Sequence, residues 1–432
     1  MKNLLNSALS RADDAEIYSV KVEKYPVKFA GNSLKSIKSE LARSVSLRLK
    51  KDGRVGYSSD VDTGNPEQLV DRALKSAQYG NEIKFDFCKD EKTTPVDIFD
   101  PGTVSFDIEE AVDMGQKMID YLKRETADTV NDLNITKYFI EVNYLADGVE
   151  KTYYKTLVAR YVSSMRVTDD GFIYIDEGDS SCRLPADILE PVRKVAEKVP
   201  HTLKAYEMPS KPSTVIFHPK AVSQLLRPLE LGLSGMNLVS GTSPLLGKHN
   251  RWILDQRITI ADDPTITLAE GSQKFDGEGM PRQRTVLFDR GVLSNYLLDL
   301  YSSSELEFEP NGCAVRGPNS PPAPGSSNLV VMNGDLPYRE MLSDIKDGLL
   351  VEEVIGGGQS NMIAGEFSMN VSLGFKIQNG NVLGRVRNTM ISGNVYELLK
   401  DRLIGLTTEV ETHGSITTPY FIFKDLSVSG KE

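Results

Sequence analysis

The sequence predicts an α+β fold in which β-rich N-terminal and middle α/β units precede a large, strand-rich C-terminal domain. Three observations support this class. Strand-like alternation of apolar residues covers long stretches of the chain. Two-residue turn signals suited to hairpins join several of these stretches. The helical patterns are grouped with hairpins instead of alternating regularly with single strands, which favours packed α+β layers over a doubly wound parallel sheet.

Residues 1–84 are predicted to form an N-terminal domain. Alternating apolar residues indicate two strands, at 15–20 and 44–49. Asp52-Gly53 is a hairpin turn that leads into a further strand. A helix is expected next, because Asn65 is a suitable N-cap and Pro66 suits the first helical position. Apolar residues then recur at helical spacing until a glycine at position 80.

Residues 105–210 are predicted to form a central domain, separated from the first by a linker at 85–104 that is rich in proline and charge. The spacing of apolar residues predicts a helix from about 105 to 124. Two long strand-like runs follow, on either side of the turn Asp147-Gly148. A helix at about 186–198 closes this unit.

The C-terminal domain is predicted to span 211–432 and to consist mainly of strands and loops. It begins with a strand and a helix, at 213–217 and about 219–232. Hairpins are expected around Asp289-Arg290-Gly291 and Asn379-Gly380. Short helices and a final strand are expected at 338–347, 395–402 and 420–426.

Composition restricts the class of protein. With 40% hydrophobic and 26% charged residues the chain has the balance of a soluble globular protein. A net charge of -11 with dispersed acidic residues repels nucleic acid, so no direct nucleic-acid partner is expected. No stretch is apolar enough for a membrane helix, and no signal peptide is recognisable. Three widely spaced cysteines indicate free thiols and a cytoplasmic location.

Phrases along the whole chain resemble the TldD/PmbA family, once called modulators of DNA gyrase. The N-terminal part contains the family's A-E-x-Y and G-R-x-G-Y-x-S phrases, and V-I-F-H-P-K-A-V begins the third part at Val215. Seven further phrases follow in the family's order, at 284–297, 311–317, 322–329, 347–356, 365–380, 391–399 and 419–430. The resemblance implies a dimeric peptidase scaffold with a cavity where two subunits meet.

In the TldD branch of that family, a zinc-binding H-E-x-x-x-H motif lies on the helix after the Leu-Leu pair. The corresponding positions here are Arg227, Pro228 and about Gly232, and His413 lies near the position of a third ligand. We therefore interpret these four residues as vestigial metal-site positions. The four histidines of the chain are too far apart in sequence for an H-E-x-x-H site, so no metal ligand set is predicted.

Other cofactor and catalytic motifs are also not recognised. The stretch from Gly241 to His249 has the wrong glycine spacing for a phosphate-binding loop and lacks its Ser/Thr. There is no G-x-S-x-G motif and no recognisable Cys/His pair, so neither a cofactor nor a catalytic residue is predicted.

The resemblance places a peptide cavity along the third part of the chain. The candidate residues for it are Arg227, Glu230, Asn311, Arg316 and Asn361. The preferred function is a non-metal subunit or homologue of a TldD-type metallopeptidase. Such a chain forms a homodimer, or a heterodimer with a TldD-like zinc subunit, and acts on small unfolded peptides. Two alternatives remain open: a homodimeric peptide-binding or chaperone-like protein without catalysis, and an active peptidase that uses unrecognised groups.

Overall fold

The computed structural model describes residues 1–61, 64–126, 128–169, 171–357 and 360–430. Their strands form two large sheets, of seven and twelve strands, and a separate two-stranded ribbon. Helices pack against both large sheets and do not alternate regularly with single strands. The predicted α+β class is confirmed. No helix among these residues is long and apolar enough to cross a membrane.

The first sheet is antiparallel and has the order β4-β3-β1-β5-β6-β7, with β2 paired to β1. Its strands are β1 (Asp14–Ala30), β2 (Ser33–Ile37), β3 (Glu40–Lys51), β4 (Arg54–Asp60), β5 (Thr129–Ala146), β6 (Val149–Thr168) and β7 (Gly171–Ser181). Because β1 pairs with β5 from Glu16 to Phe29, strands from both predicted N-terminal units belong to one sheet. The strand β7 lies at its edge.

The helices of this half are α1 (Lys2–Leu9), α2 (Pro66–Ala77), α3 (Pro101–Ser105), α4 (Ile108–Glu125) and α5 (Glu190–Lys198), which is followed by a short 3-10 helix at Val199–Thr202. As expected, Asn65 caps α2 by accepting a hydrogen bond from the Gln68 backbone amide. The helix α5 begins later than predicted, because an Asp187 carboxylate oxygen accepts the Leu189 amide in a turn that precedes it.

The predicted linker segment contacts the rest of the protein closely. Residues 85–100 have no helix or regular strand, yet Phe87, Val96 and Ile98 are buried. The Thr94 backbone amide donates to the Lys274 carbonyl at 2.7 Å, and the Thr94 hydroxyl donates to the Arg282 carbonyl. This segment therefore joins the first sheet to the C-terminal half through buried contacts.

The second sheet has the order β12-β11-β10-β15-β21-β9-β16-β17-β18-β8, with β19 and β20 attached beside it. Its strands are β8 (Ala205–Glu207), β9 (Lys211–Phe217), β10 (Ile260–Asp262), β11 (Thr285–Asp289), β12 (Val292–Leu293), β15 (Leu329–Val331), β16 (Asp347–Gly356), β17 (Glu366–Gln378), β18 (Asn381–Arg387), β19 (Met390–Asn394), β20 (Leu403–His413) and β21 (Ile416–Ser429). The ribbon consists of β13 (Ala314–Val315) and β14 (Ala323–Pro324). Among the described strands, β20 pairs with β21.

The helices of the C-terminal half are α6 (Pro219–Leu233), α7 (Gly235–Val239), α8 (Leu300–Leu306), α9 (Tyr338–Ser343) and α10 (Val395–Asp401), with a 3-10 helix at Met362–Ala364. The helix α9 is shorter than predicted because the chain passes into β16 at Asp347. One face of α6 packs into the largest hydrophobic core, together with Phe217 of β9 and Phe421 of β21. The central position of this helix determines the geometry of the candidate site.

Candidate functional site

The helix α6 is started by His218 and Pro219. The His218 Nδ1 atom accepts a hydrogen bond from the Lys220 backbone amide at 3.2 Å, and Pro219 occupies the first turn, where no amide donor is needed. Apolar residues three or four positions apart, such as Leu225 and Leu229, are buried. The opposite face of α6 is more exposed and carries Arg227.

The vestigial metal-site positions on α6 do not fit a zinc ion. Arg227 is exposed and its guanidinium is a cation, while Pro228 lies buried inside the helix and offers no ligand atom. A β-carbon added to Gly232 would lie 2.0 Å from the Tyr396 hydroxyl oxygen. The second ligand position is therefore filled by Tyr396 of α10, and a histidine at 232 would require this side chain to move.

His413 contacts the other end of α6. Its ring lies 5.7 Å, centroid to centroid, from the ring of His218. Arg227 lies nine positions further along the helix than His218, which is about 13.5 Å at 1.5 Å per residue. The residues that the resemblance groups into one vestigial site are thus divided between the N-terminal end of the helix, near His413, and its second half, which carries Arg227, Pro228 and Gly232.

His218 and His413 belong to a polar cluster that joins four elements. The His218 Nε2 atom lies 3.3 Å from Glu352 Oε1 of β16 and 3.4 Å from Glu411 Oε1 of β20. Glu411 Oε2 lies 3.6 Å from the His413 Nε2 atom, and Glu411 Oε1 accepts a hydrogen bond of 2.9 Å from the Tyr420 hydroxyl. We call these five residues the histidine–glutamate cluster.

Lysines neutralise the carboxylates of the histidine–glutamate cluster. Lys198 of α5 binds Glu352, and Lys194 of the same helix lies 2.8 Å from Glu411 Oε2. Burial opposes ionisation of Glu411, but the adjacent His218 and His413 rings outweigh it and hold the pKa of Glu411 well below its usual range. Burial, reinforced by the Glu411 charge, raises the pKa of Tyr420, so its hydroxyl remains a donor. Lys198 also binds Glu177 of β7, so these ion pairs link α5 and the first sheet to the second sheet.

The hydrogen-bond geometry of His218 argues against a metal ion in this cluster. Since Nδ1 accepts the Lys220 amide, the proton of the neutral ring is on Nε2. An Nε2–H group donates to a carboxylate and has no free lone pair for a metal. Consistently, no three His, Cys, Asp or Glu side chains in the described part of the chain are placed to hold a metal ion. The arrangement is suited to binding and orienting polar groups.

Two cavities adjoin the histidine–glutamate cluster. One, of about 300 Å³, is lined by the end of β7, by α5 and by β20, including Lys194 and Glu411. The other, of about 400 Å³, lies between β7 and the start of α6, and includes Lys220 and His413. Both are lined by residues 177–180 of β7 and by Gly414. The cluster therefore borders a polar groove between the two sheets.

The remaining candidate cavity residues have diverse environments. Glu230 accepts a hydrogen bond from the Ser326 hydroxyl, and burial raises the pKa of its carboxyl. The Asn311 amide donates to the Tyr296 carbonyl. Asn361 accepts the Ala364 amide. None of these three lines the two cavities beside the histidine–glutamate cluster.

Arg316 lies inside a buried ion network. Its side chain has no exposed surface, and its Nη1 atom lies 2.9 Å from Glu16 Oε1 of β1. Arg48 of β3 contacts the same carboxylate oxygen at 2.9 Å and Glu278 at 2.6 Å. Burial raises the pKa of Glu278 to about 8 despite the Arg48 charge. Arg316 therefore connects the first sheet to the C-terminal half.

Sequence reasoning did not identify the histidine–glutamate cluster. Its members lie on β16, β20, β21 and α6, and no short motif contains them. One local signal was present: in L-L-V-E-E the apolar strand ends in two acidic residues, and Glu352 is buried there. A buried carboxylate requires a charged or hydrogen-bonding partner.

Comparisons with known proteins agree with this architecture. Residues 210–430 match the family model described as the PmbA/TldA metallopeptidase C-terminal domain, and residues 15–77 match domain 1 of the same family. An uncharacterized protein of Methanocaldococcus jannaschii is 26% identical, covering 98% of both chains. The metalloprotease PmbA of Escherichia coli O157:H7 is 24% identical over 99% of this chain and 94% of its own. The crystal structure of TldE from Thermococcus kodakarensis superimposes with a TM-score of 0.89 over the full length of both chains, at 22% identity.

Proposed function

This chain belongs to the PmbA/TldD metallopeptidase family, and we propose that it is a subunit without its own metal site. In this proposal it pairs with a separate zinc-bearing family member and contributes part of a cavity for small unfolded peptides. Catalysis is then supplied by the partner, and this chain binds and orients peptide.

The packing of Gly232 carries this proposal. The family's second histidine ligand would have to occupy the space that the Tyr396 side chain fills. Arg227 and Pro228 supply neither a neutral imidazole nor a carboxylate at the other two positions. The chain thus has the helix α6 of the family fold, but the residues at the aligned ligand positions cannot bind zinc. This combination is expected for a subunit whose partner provides the metal.

The groove beside the histidine–glutamate cluster supports the binding role. It offers fixed hydrogen-bonding and charged groups, among them His413 and Lys220, in cavities of about 300 and 400 Å³. Sites of this size accommodate a short segment of peptide.

Co-purification with a family member that carries H-E-x-x-x-H tests the proposal. We expect a stable complex, with hydrolysis of an unstructured peptide by the mixture and none by this chain alone. A partner variant with its motif glutamate changed to glutamine serves as the control and should abolish hydrolysis. The isolated chain should contain no stoichiometric zinc after dialysis.

Two outcomes would contradict the proposal. Chelator-sensitive hydrolysis by the isolated chain would show that it has its own metal site. Peptide binding by a stable homodimer, with no association with the zinc-bearing member, would instead favour a peptide-binding protein without catalysis.

A further inference from the structure

The strand β7 has an open edge along the groove. Lys220 Nζ donates to the Asp176 carbonyl, and the Cys182 amide donates to the Leu268 carbonyl at 2.9 Å. Neither Lys220 nor Leu268 belongs to β6, the strand that pairs with β7. The Asp176 carbonyl and the Cys182 amide therefore point away from the sheet. Alternate residues of a strand point the same way. The N–H and C=O groups of Gly178 and Ser180 therefore also face the groove, and no described residue outside the sheet hydrogen-bonds to them.

Gly414 lies where the two cavities meet. It is at the tip of the β20–β21 hairpin with a positive φ of 60°, and it lines both cavities, as does the Gly178–Ser180 edge. A β-carbon built on Gly414 would have only the Glu270 Oε2 atom within 4 Å, at 3.8 Å. Because Gly414 has no side chain, no side chain at this position separates the two cavities along the open edge.

Glu270 provides a carboxylate without a salt-bridge partner among the described residues at this junction, with the buried Lys155 as a neighbouring cation. The other acidic residues that line the cavities pair with a cation: Glu177 with Lys198, Asp179 with Arg160, Glu190 and Glu411 with Lys194, and Glu353 with Lys220. Glu270 has no Lys, Arg or His nitrogen within 4.0 Å among the described residues, and its carboxylate accepts only the Ser180 hydroxyl. The nearby Lys155 ammonium donates to the backbone carbonyls of Glu270 and Ser272 instead.

We propose that this groove binds an extended peptide on the open edge of β7, with a basic side chain of that peptide paired to the Glu270 carboxylate. The backbone of an added strand forms hydrogen bonds with the free N–H and C=O groups of Gly178 and Ser180. The side chains of the bound peptide then determine the specificity. A lysine or arginine is favoured at the junction because it pairs with the Glu270 carboxylate, which has no direct ion-pair partner among the described residues. The half-exposed Tyr161 ring on the rim offers a cation a further favourable contact. This inference rests on the proposed peptide-binding role and adds a specificity to it.

Fluorescence anisotropy with three labelled hexa-alanine peptides tests the inference on the full chain. All three are C-terminally amidated. The first is N-acetylated and has one central lysine, the second is N-acetylated with glutamate there, and the third has a free N-terminus and no lysine. We expect the lysine peptide to bind at least fivefold more tightly than the glutamate peptide. Binding of the third peptide as tight as that of the first would assign the site to a terminal ammonium and overturn the assignment to a side chain.

The variant Glu270→Gln should remove the preference for lysine and leave binding of the glutamate peptide no weaker. Glu109→Gln, an exposed change on α4 with the same loss of charge, is the matched control and should behave like the parent chain. An unaltered lysine preference in Glu270→Gln would refute the role of Glu270.

The variant Gly414→Asn tests continuity of the groove, since asparagine tolerates the left-handed conformation and its side chain would fill the junction. All peptides should bind at least fivefold more weakly to it, and unchanged binding would refute the continuous groove. Equal binding of all peptides by the parent chain would refute the preference for a basic side chain but would leave the proposed peptide-binding function intact. No binding of any of them would count against both.

Discussion

Replacing Gly232 by alanine tests how tightly position 232, which the family resemblance aligns with a zinc ligand, is packed. The added methyl group would lie 2.0 Å from the Tyr396 hydroxyl oxygen and 3.5 Å from Leu245 Cδ1, whereas favourable contact needs about 3.5–4.0 Å. The Tyr396 ring must therefore move. Overpacking of this kind costs about 1–3 kcal/mol, and alanine recovers about 1 kcal/mol over glycine in a helix. We expect G232A to lower the free energy of unfolding by about 1 kcal/mol.

The variant Y396F removes the clashing atom and makes the test specific. Once the hydroxyl is absent, the nearest remaining atom is Tyr396 Cζ, at 3.4 Å. The hydroxyl is buried without a hydrogen-bond partner among the described residues, so its removal should not destabilise the protein. In the Y396F background, G232A should therefore stabilise the chain by about 1 kcal/mol.

Urea unfolding of the parent chain, both single variants and the double variant measures the coupling between these positions. We expect G232A to lower the free energy of unfolding by about 1 kcal/mol in the parent chain and to raise it by about 1 kcal/mol in the Y396F background. The coupling energy between the two positions is therefore about 2 kcal/mol. Additive effects, within about 0.5 kcal/mol, would refute the packing argument. They would also remove the main reason for excluding a histidine at position 232.

Four further predictions concern the metal positions, assembly and the buried ion network. The triple variant R227H/P228E/G232H should neither bind zinc tightly nor cleave peptides when zinc is added, because the ligands would not converge; chelator-sensitive cleavage would contradict this. Light scattering should give about twice the chain mass of 47.8 kDa, and a monomer at micromolar concentration would count against a dimer. In the folded chain, Glu278 keeps its proton up to about pH 8, whereas in the unfolded chain it loses the proton near the ordinary glutamate pKa. The tighter proton binding by the folded chain stabilises it. This stabilisation is complete below the ordinary glutamate pKa and is lost as pH rises through about 8. The urea concentration at the midpoint of unfolding should therefore fall less between pH 6 and pH 9 for E278Q than for the parent chain. Equal falls would disprove the raised pKa of Glu278. R316A should lower the free energy of unfolding by about 3–5 kcal/mol, because it leaves the buried Glu16 carboxylate with one partner fewer; a loss below about 1 kcal/mol would contradict the network.

Local signals in the sequence were sufficient for the turns and most helix starts. Asp52-Gly53 and Asn379-Gly380 adopt the positive φ angles that two-residue hairpin turns require. The Asn65 cap and the helical spacing after it also depend only on neighbouring residues. The absence of an H-E-x-x-x-H motif was visible for the same reason, since that motif is contiguous in sequence.

Contacts between distant segments were decided by the tertiary structure. The pairing of β1 with β5 unites strands from two predicted units, because a strand edge does not specify its partner through local sequence. His218, Glu352, Glu411 and His413 converge only because β9, β16 and β21 are neighbours in one sheet and β20 pairs with β21. Local residue types set turns and helix ends through backbone geometry, whereas the histidine–glutamate cluster and the buried Arg316 network depend on how complete sheets pack.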